Sequence, residues 1–251
     1  MDEQQNAIAQ MRAVTISREY GSGGGEIAAR LAERLGWQLI DHEVVVQVAQ
    51  SLGVSVEEAE VHDERAEGLA SRIITSLQMI QPLVPVVSPV PMATDPMAYQ
   101  DALQHVIDGA IATGHVVIVG RGAQVLLARR RDVFHVRIIA PLESRIAYVM
   151  QREGLDAAAA QARVQLKDRD RLRYLQSQYN LNPENAHLYD IVVNTAILDL
   201  DSAVDILVLA LERKAMQLSK ITTELGPATG MPRYPQRPGD FRPPESIVGQ
   251  Q

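Results

Sequence analysis

Five short apolar runs alternate along this chain with longer segments whose apolar positions recur every three or four residues. The runs are Val14–Ser17, Gln38–Ile40, Val116–Val119, Val133–Ile139 and Ile191–Asn194. Their β-branched content and brevity predict buried strands. Helical periodicity is clear over Glu26–Leu35, where Ile27, Leu31 and Leu35 share a face, and over Glu43–Ser51, Met97–Ala112, Leu142–Arg152, Asp156–Gln178 and Ser202–Leu218. Ser55 followed by Glu58 reads as a capping box opening a further helix near Val56–Asp63. Strand and helix in alternation predict βαβ units and a largely parallel sheet, hence an α/β fold.

Two stretches interrupt the pattern. Residues 81–96 are apolar but carry Pro82, Pro85, Pro89, Pro91 and Pro96, too many for a helix or a central strand. This stretch is expected either as an extended loop packed on the domain or as an apolar contact with a second subunit, making a homo-oligomer. From Gly226 the chain holds six prolines and little apolar periodicity. Domain organisation is therefore expected as 1–225 plus a flexible tail, 226–251.

Composition narrows the chemistry. The 251 residues are 46% hydrophobic with a net charge of −7, which argues against a nucleic-acid binder. Absence of cysteine excludes disulfides, thiolate zinc sites and cysteine nucleophiles. The opening Met1-Asp-Glu-Gln-Gln-Asn-Ala has no signal-peptide pattern, and no apolar run approaches the ~20 residues of a membrane span. The expectation is a cytoplasmic protein without membrane attachment.

The strongest chemical signal is Gly21-Ser22-Gly23-Gly24-Gly25, lying between the first strand and an amphipathic helix. Glycines let successive backbone N–H groups converge, and the helix N-terminus adds unpaired donors, so the loop predicts a phosphate site. The dinucleotide pattern G-x-G-x-x-G places its third glycine on Glu26, and Arg18, Glu19 and Tyr20 separate the strand from the first glycine. The mononucleotide pattern G-x-x-x-x-G-K-[ST] accommodates the longer turn, yet its first glycine falls on Arg18, its lysine on Gly24 and its hydroxyl on Gly25. A glycine turn without a ligand is the plain alternative.

Replacement cations are at hand. Arg18 opens the loop, and the helix over Asp156–Gln178 carries Arg163, Lys167, Arg169, Arg171 and Arg173. Arg169 and Arg173, four apart, share a face, while Arg171 points elsewhere. This basic cluster reads as a nucleotide lid or as a solvated face balanced by Asp168 and Asp170. Arg121 follows an apolar strand at its carboxyl end, where open parallel sheets bind ligands, or it merely caps that strand. Asp41 is a candidate for the magnesium shell or the acceptor, or else caps the next helix. Arg129-Arg130-Arg131 reads as a solvated turn, and the histidines are scattered without metal-ligand spacing.

Thr15-Ile-Ser-Arg-Glu-Tyr-Gly-Ser-Gly-Gly, Leu35-Gly-Trp-Gln-Leu-Ile-Asp, Val117-Ile-Val-Gly-Arg-Gly and Tyr189-Asp-Ile-Val-Val-Asn-Thr together resemble the cytidylate kinase-like family, over about Ala13 to Leu211. The resemblance implies a P-loop NTPase-type three-layer fold with a five-stranded parallel sheet, of nucleoside monophosphate kinase type. It also implies ATP and Mg2+ on Gly21, Ser22, Gly23, Gly24 and Gly25, with a nucleoside monophosphate, CMP or dCMP by default, at Asp41 and Arg121. A lid over about 156–180 would hold Asp168, Arg171, Arg173 and Tyr174, and Asn194 and Thr195 match the end of the last strand. Arg18, Arg169 and Arg171 are the expected catalytic cations. Where cytidylate kinases have the loop lysine, an acceptor-binding arginine and an acid after Gly-Arg, this sequence has Gly24, Gln47 and Gly122. A nucleotide-sensing module without phosphoryl transfer, or a kinase for a non-nucleotide acceptor, are the alternatives.

Overall fold

The computed structural model describes residues 7–41, 96–221 and 224–226. Five strands are β1 (Ala13–Arg18), β2 (Gln38–Ile40), β3 (Val116–Val119), β4 (Val133–Ile139) and β5 (Ile191–Asn194). The helices are α1 (Gly24–Leu35), α2 (Pro96–Thr113), α3 (Ala123–Leu126), α4 (Leu142–Glu153), α5 (Ala157–Tyr179) and α6 (Leu200–Ala215). All pairings are parallel, in the order β2-β3-β1-β4-β5, with Thr15 opposite Ile118 and His135.

Strand alternation divides the side chains between two helical layers. Val14, Ile16, Val117, Phe134, Val136 and Ile138 pack against Ile27, Leu31, Leu207 and Leu211 of α1 and α6. Ala13, Val116, Ile118 and Val133 pack against Leu103, Val106 and Ile107 of α2. Each fully buried leucine or isoleucine contributes about 1.5–3 kcal/mol, so the sheet is held from both sides. The second face changes character on β1 and β4. Thr15 and Ser17 are buried there beside His135 and Arg137.

All five predicted strands are present, β2 to β5 with the predicted ends and β1 one residue longer at each end. The helices shift at their termini for identifiable reasons. Asp156 caps α5 rather than beginning it, accepting the Ala159 N–H at 2.8 Å. Asp199 does the same for α6 through Ser202 N–H at 2.7 Å, so that helix starts earlier than Ser202 and ends at Ala215. The short α3 and a 3-10 turn at Ala186–Leu188 were not in the sequence pattern, being too brief to show periodicity. The predicted helices at 43–51 and 56–63, Gln47, the proline-rich residues 81–95 and the tail from 227 lie outside the described residues.

The compact unit holding the sheet runs to Leu218. Beyond it, the described residues make one turn, in which Glu224 N–H donates to Ile221 O at 3.0 Å.

Candidate functional site

The carboxyl ends of β1, β3 and β4 open into two cavities. The smaller, about 210 Å³, is lined by Gly21, Gly23, Gly24 and Gly25 with Tyr20, Tyr148 and Arg152. The larger, about 530 Å³, lies between the turn after β3 and the inner face of α5. Arg18, Glu19 and Arg171 line both. The larger cavity gathers the cations Arg18, Arg121, Arg137, Arg145, Lys167, Arg169 and Arg171 against the acids Glu19, Asp168, Asp170 and Glu184. An excess of positive side chains in a chain of net charge −7 marks a place for an anion.

The glycine loop is braced from within. Ser22 is 2% exposed, and its hydroxyl donates to Glu19 O at 2.9 Å, so the side chain serves the loop rather than the cavity. Thr195, just past β5, donates to Ser22 O at 2.9 Å. Asn194 caps its own turn by accepting the Ala196 N–H. A Cβ on Gly21 would lie 2.7 Å from Arg145 O, and Gly21 has φ +80°. Glycine is therefore required at this position.

Gly24 and Gly25 differ sharply. A Cβ on Gly24 would stand 2.6 Å from the Arg18 Cβ and 3.1 Å from its Cγ, whereas one on Gly25 would meet nothing within 4 Å. The stem of Arg18 thus fills the space that a side chain at the loop-lysine position would need. Its guanidinium reaches across the sheet edge to Gly120, where a Cβ would collide with it. Burial, reinforced by Arg171 and Arg121 and opposed by Asp41, lowers the Arg18 pKa to about 9. The group stays protonated at neutral pH, in a field that an incoming phosphate would relieve.

After β3 the backbone makes a second, tighter turn. Gly120, Arg121 and Gly122 have φ of +79°, +56° and +70°. A left-handed arginine costs roughly 1–2 kcal/mol, and such strain gathers at ligand sites. Gly122 has no freedom either, since its Cβ would run into the Tyr179 ring. Arg121 lines the larger cavity, and burial lowers its pKa. Asp41, at the end of β2, is half-buried and close enough to Arg18 to support its charge.

Helix α5 is tied to the glycine loop at several points. Asp168 accepts the Tyr20 N–H at 2.8 Å and pairs with Arg145. Arg171 donates to Arg18 O at 3.1 Å and lies 5.3 Å above the Tyr20 ring. Burial lowers its pKa. Tyr174 lines the larger cavity and meets Tyr179 edge-on at 6.2 Å. Arg169 also lines that cavity but is exposed, and Arg173 is exposed and lines neither cavity. The inward cation on α5 is therefore Arg171, sharing its face with Asp168 and Leu175 rather than with Arg173. Arg129, Arg130 and Arg131 are exposed, Arg130 pairing with Asp132 at 2.6 Å.

Two buried arginines in this site have no warning in the apolar pattern. Arg145 is 9% exposed and clamps the loop, donating to Ala140 O at 2.9 Å and Tyr20 O at 3.2 Å besides its carboxylates. Arg137 is 7% exposed within β4. A charge in the middle of a strand, between Val136 and Ile138, was the available signal.

Among the described residues no group of three or more His, Cys, Asp or Glu side chains could hold a metal ion, and no helix is long and apolar enough to cross a membrane. A cytidylate kinase of Archaeoglobus fulgidus is 26% identical over 208 residues, 82% of this chain and 98% of that protein. A uronate isomerase of Corynebacterium glutamicum is 34% identical over 115 residues, 46% of this chain, which therefore spans only 21% of that relative's length. The crystal structure of an uncharacterized protein from Eubacterium ventriosum shares the fold, with a TM-score of 0.59 at 22% identity, covering 81% of this chain and 99% of that one. The pattern of the cytidylate kinase-like family matches residues 13–197, the span that holds the glycine loop, the Gly-Arg-Gly turn and α5. The resemblance drawn from the four sequence motifs is borne out, and the chain belongs to the cytidylate kinase-like family.

Proposed function

We propose that this protein transfers the γ-phosphoryl group of Mg-ATP to a nucleoside monophosphate, with CMP or dCMP as the first acceptors to try. The observation that carries the reading is the meeting of two cavities at Arg18 and Arg171. ATP phosphates fit the glycine-lined cavity, where backbone N–H groups and a helix N-terminus favour anions. The acceptor takes the larger one, its phosphate at Arg121. The transferring group then lies between them, where catalysis needs positive charge on the equatorial oxygens.

In this reading Arg18 supplies the charge that a loop lysine supplies elsewhere, and a guanidinium does so through paired N–H donors. Arg171 approaches from α5, and Asp168 holds that helix against the loop through the Tyr20 N–H. Arg169 and Tyr174 border the acceptor. Magnesium usually keeps most of its waters and takes one or two carboxylates beside the substrate phosphates. Asp41 is the sequence candidate for such a shell; it lines neither cavity but lies near enough to Arg18 to support its charge, and an ion held there would neutralise phosphate charge. A kinase drawing on Mg-ATP and a nucleoside monophosphate would act in the cytoplasm.

The test incubates the full chain with Mg-ATP and each common nucleoside monophosphate and resolves the products. Stoichiometric ADP and one new diphosphate establish the reaction and name the acceptor. One observation favours a second reading: Ser22 turns its hydroxyl inward and Gly25 has none, so the loop offers no hydroxyl to magnesium. ATP binding without turnover on any acceptor, at high protein concentration, would make the protein a nucleotide sensor or a kinase for a non-nucleotide acceptor.

A further inference from the structure

Arg137 and Arg145 are the two buried arginines of this site, and they are satisfied very differently. Arg145 donates to two carbonyl oxygens and to Asp168, and pairs with Glu19 at 3.5 Å. Arg137 has one hydrogen bond among the described residues, from NH1 to Ser17 Oγ at 3.2 Å. Its other contact is with the Tyr189 ring, whose centroid lies 5.7 Å from the guanidinium carbon. No described carboxylate pairs with it. A guanidinium has five N–H groups, and none of Arg137's is enclosed without a partner, so the donors not given to Ser17 are accessible from the cavity that Arg137 lines.

The seat is built to hold that group in place. Register puts Ser17 of β1 beside Arg137 on one side and Val192 of β5 on the other. Tyr189 is fixed by donating to Pro183 O at 2.9 Å and stands 3.2 Å from Ser17 Oγ. A planar cation is thereby backed by an aromatic face and opens on the larger cavity, whose lining includes it. The glycine-lined cavity does not include it. Arg137 also bears on Arg171, whose pKa it helps to lower, so the two cations share one space.

We propose that Arg137, seated on Ser17 and Tyr189, is an anion-binding residue of the larger cavity that takes an oxyanion of the acceptor, which makes that acceptor a phosphorylated molecule rather than a neutral nucleoside or polyol. This rests on the phosphotransferase reading for the word acceptor, but its test does not require turnover. Arg137 differs from Arg121 in origin: one projects from within a strand and the other from a strained turn, so a phosphate between them is gripped from two directions.

The test is calorimetric titration of the full chain saturated with β,γ-imido-ATP, which fills the glycine-lined cavity. Inorganic phosphate, CMP and cytidine are the probes. The wild type binds phosphate and binds CMP more tightly than cytidine. Arg137→Met weakens phosphate and CMP by about 10- to 100-fold, the scale of lost charge-assisted hydrogen bonds, and leaves cytidine and β,γ-imido-ATP within about threefold. Arg137→Lys retains part of the CMP affinity. Ser17→Ala keeps the guanidinium but loosens its seat and weakens CMP by a smaller factor, which covers the case in which Arg137→Met does not fold. Equal weakening of all four ligands, or unchanged phosphate and CMP binding in both Arg137→Met and Ser17→Ala, overturns the proposal. If phosphate binding depends on Arg137 while no ADP is ever formed, the subsite stands and the kinase reading falls.

Discussion

The two glycine-rich turns at the carboxyl edge of the sheet solve the same problem in opposite ways. The turn after β1 is wide, carries four glycines and no cation, and takes its positive charge from Arg18 at the strand end. The turn after β3 is narrow, left-handed at three successive residues, and presents its own cation at the apex. In the first, backbone shape is kept free of side chains and charge is imported across it. In the second, charge is generated in place and the backbone bears the strain. On the proposed reading, a phosphate site needs converging donors and a cation, and these need not come from one motif.

The largest effect should separate the two arginines. If the imported charge serves the transferring group, Arg18→Met lowers kcat by about 10³-fold, the scale of a lost transition-state arginine. Arg121→Met lowers kcat/KM for the acceptor by about 10²-fold and leaves the ATP dissociation constant unchanged. Steady-state kinetics with both substrates varied decides it; identical losses on both substrates would erase the distinction between the turns.

Next comes the crowding between the wide turn and its cation. Gly24→Ala puts a Cβ 2.6 Å from the Arg18 Cβ, so urea denaturation should show a loss of about 1–3 kcal/mol. In an Arg18→Gly background the loss should shrink, because the colliding atoms are gone. A loss of equal size in both backgrounds would place the cause elsewhere.

The narrow turn makes a subtler prediction. Arg121→Gly and Arg121→Ala both remove the cation, but only alanine keeps the left-handed strain at φ +56°. The glycine variant should be the more stable by about 1 kcal/mol in the same denaturation experiment. Gly25→Ala provides the smallest effect: its Cβ meets nothing within 4 Å, and alanine favours α1, so stability rises by about 0.5–1 kcal/mol. A fall in melting temperature instead would show that the open side of Gly25 is not open in solution.

Much of this was legible in the residues themselves, and the exceptions have a common cause. The strands announced themselves because a parallel sheet covered on both faces needs unbroken apolar runs. The wide turn announced itself because a glycine cluster after such a run has few structural excuses, and the narrow one through Arg121 at a strand's carboxyl end and through the family resemblance. Arg137 lay hidden inside one of those runs, and the residues that seat it, Ser17 and Tyr189, are 120 and 52 positions away in sequence. Arg145 likewise takes its meaning from Asp168, brought to it only when α4 and α5 pack together. For Arg171 and Arg173 helical spacing could say that they point differently, but not which one would face inward. Periodicity reports the burial of apolar groups; it is silent on which charged group a tertiary fold will enclose.

The stem of Arg18 lying in the space beside Gly24 also has an evolutionary consequence. A lysine arriving at position 24 would strike a side chain already in place, while loss of Arg18 alone would remove the cation that the loop's own strand supplies and leave Arg152 and Arg171. The two positions are therefore coupled, and replacing both would still leave Gly25 where the conventional pattern has a hydroxyl. What a side chain at position 24 must first overcome is a contact between carbon atoms, so a change there has to be preceded or accompanied by a change at position 18.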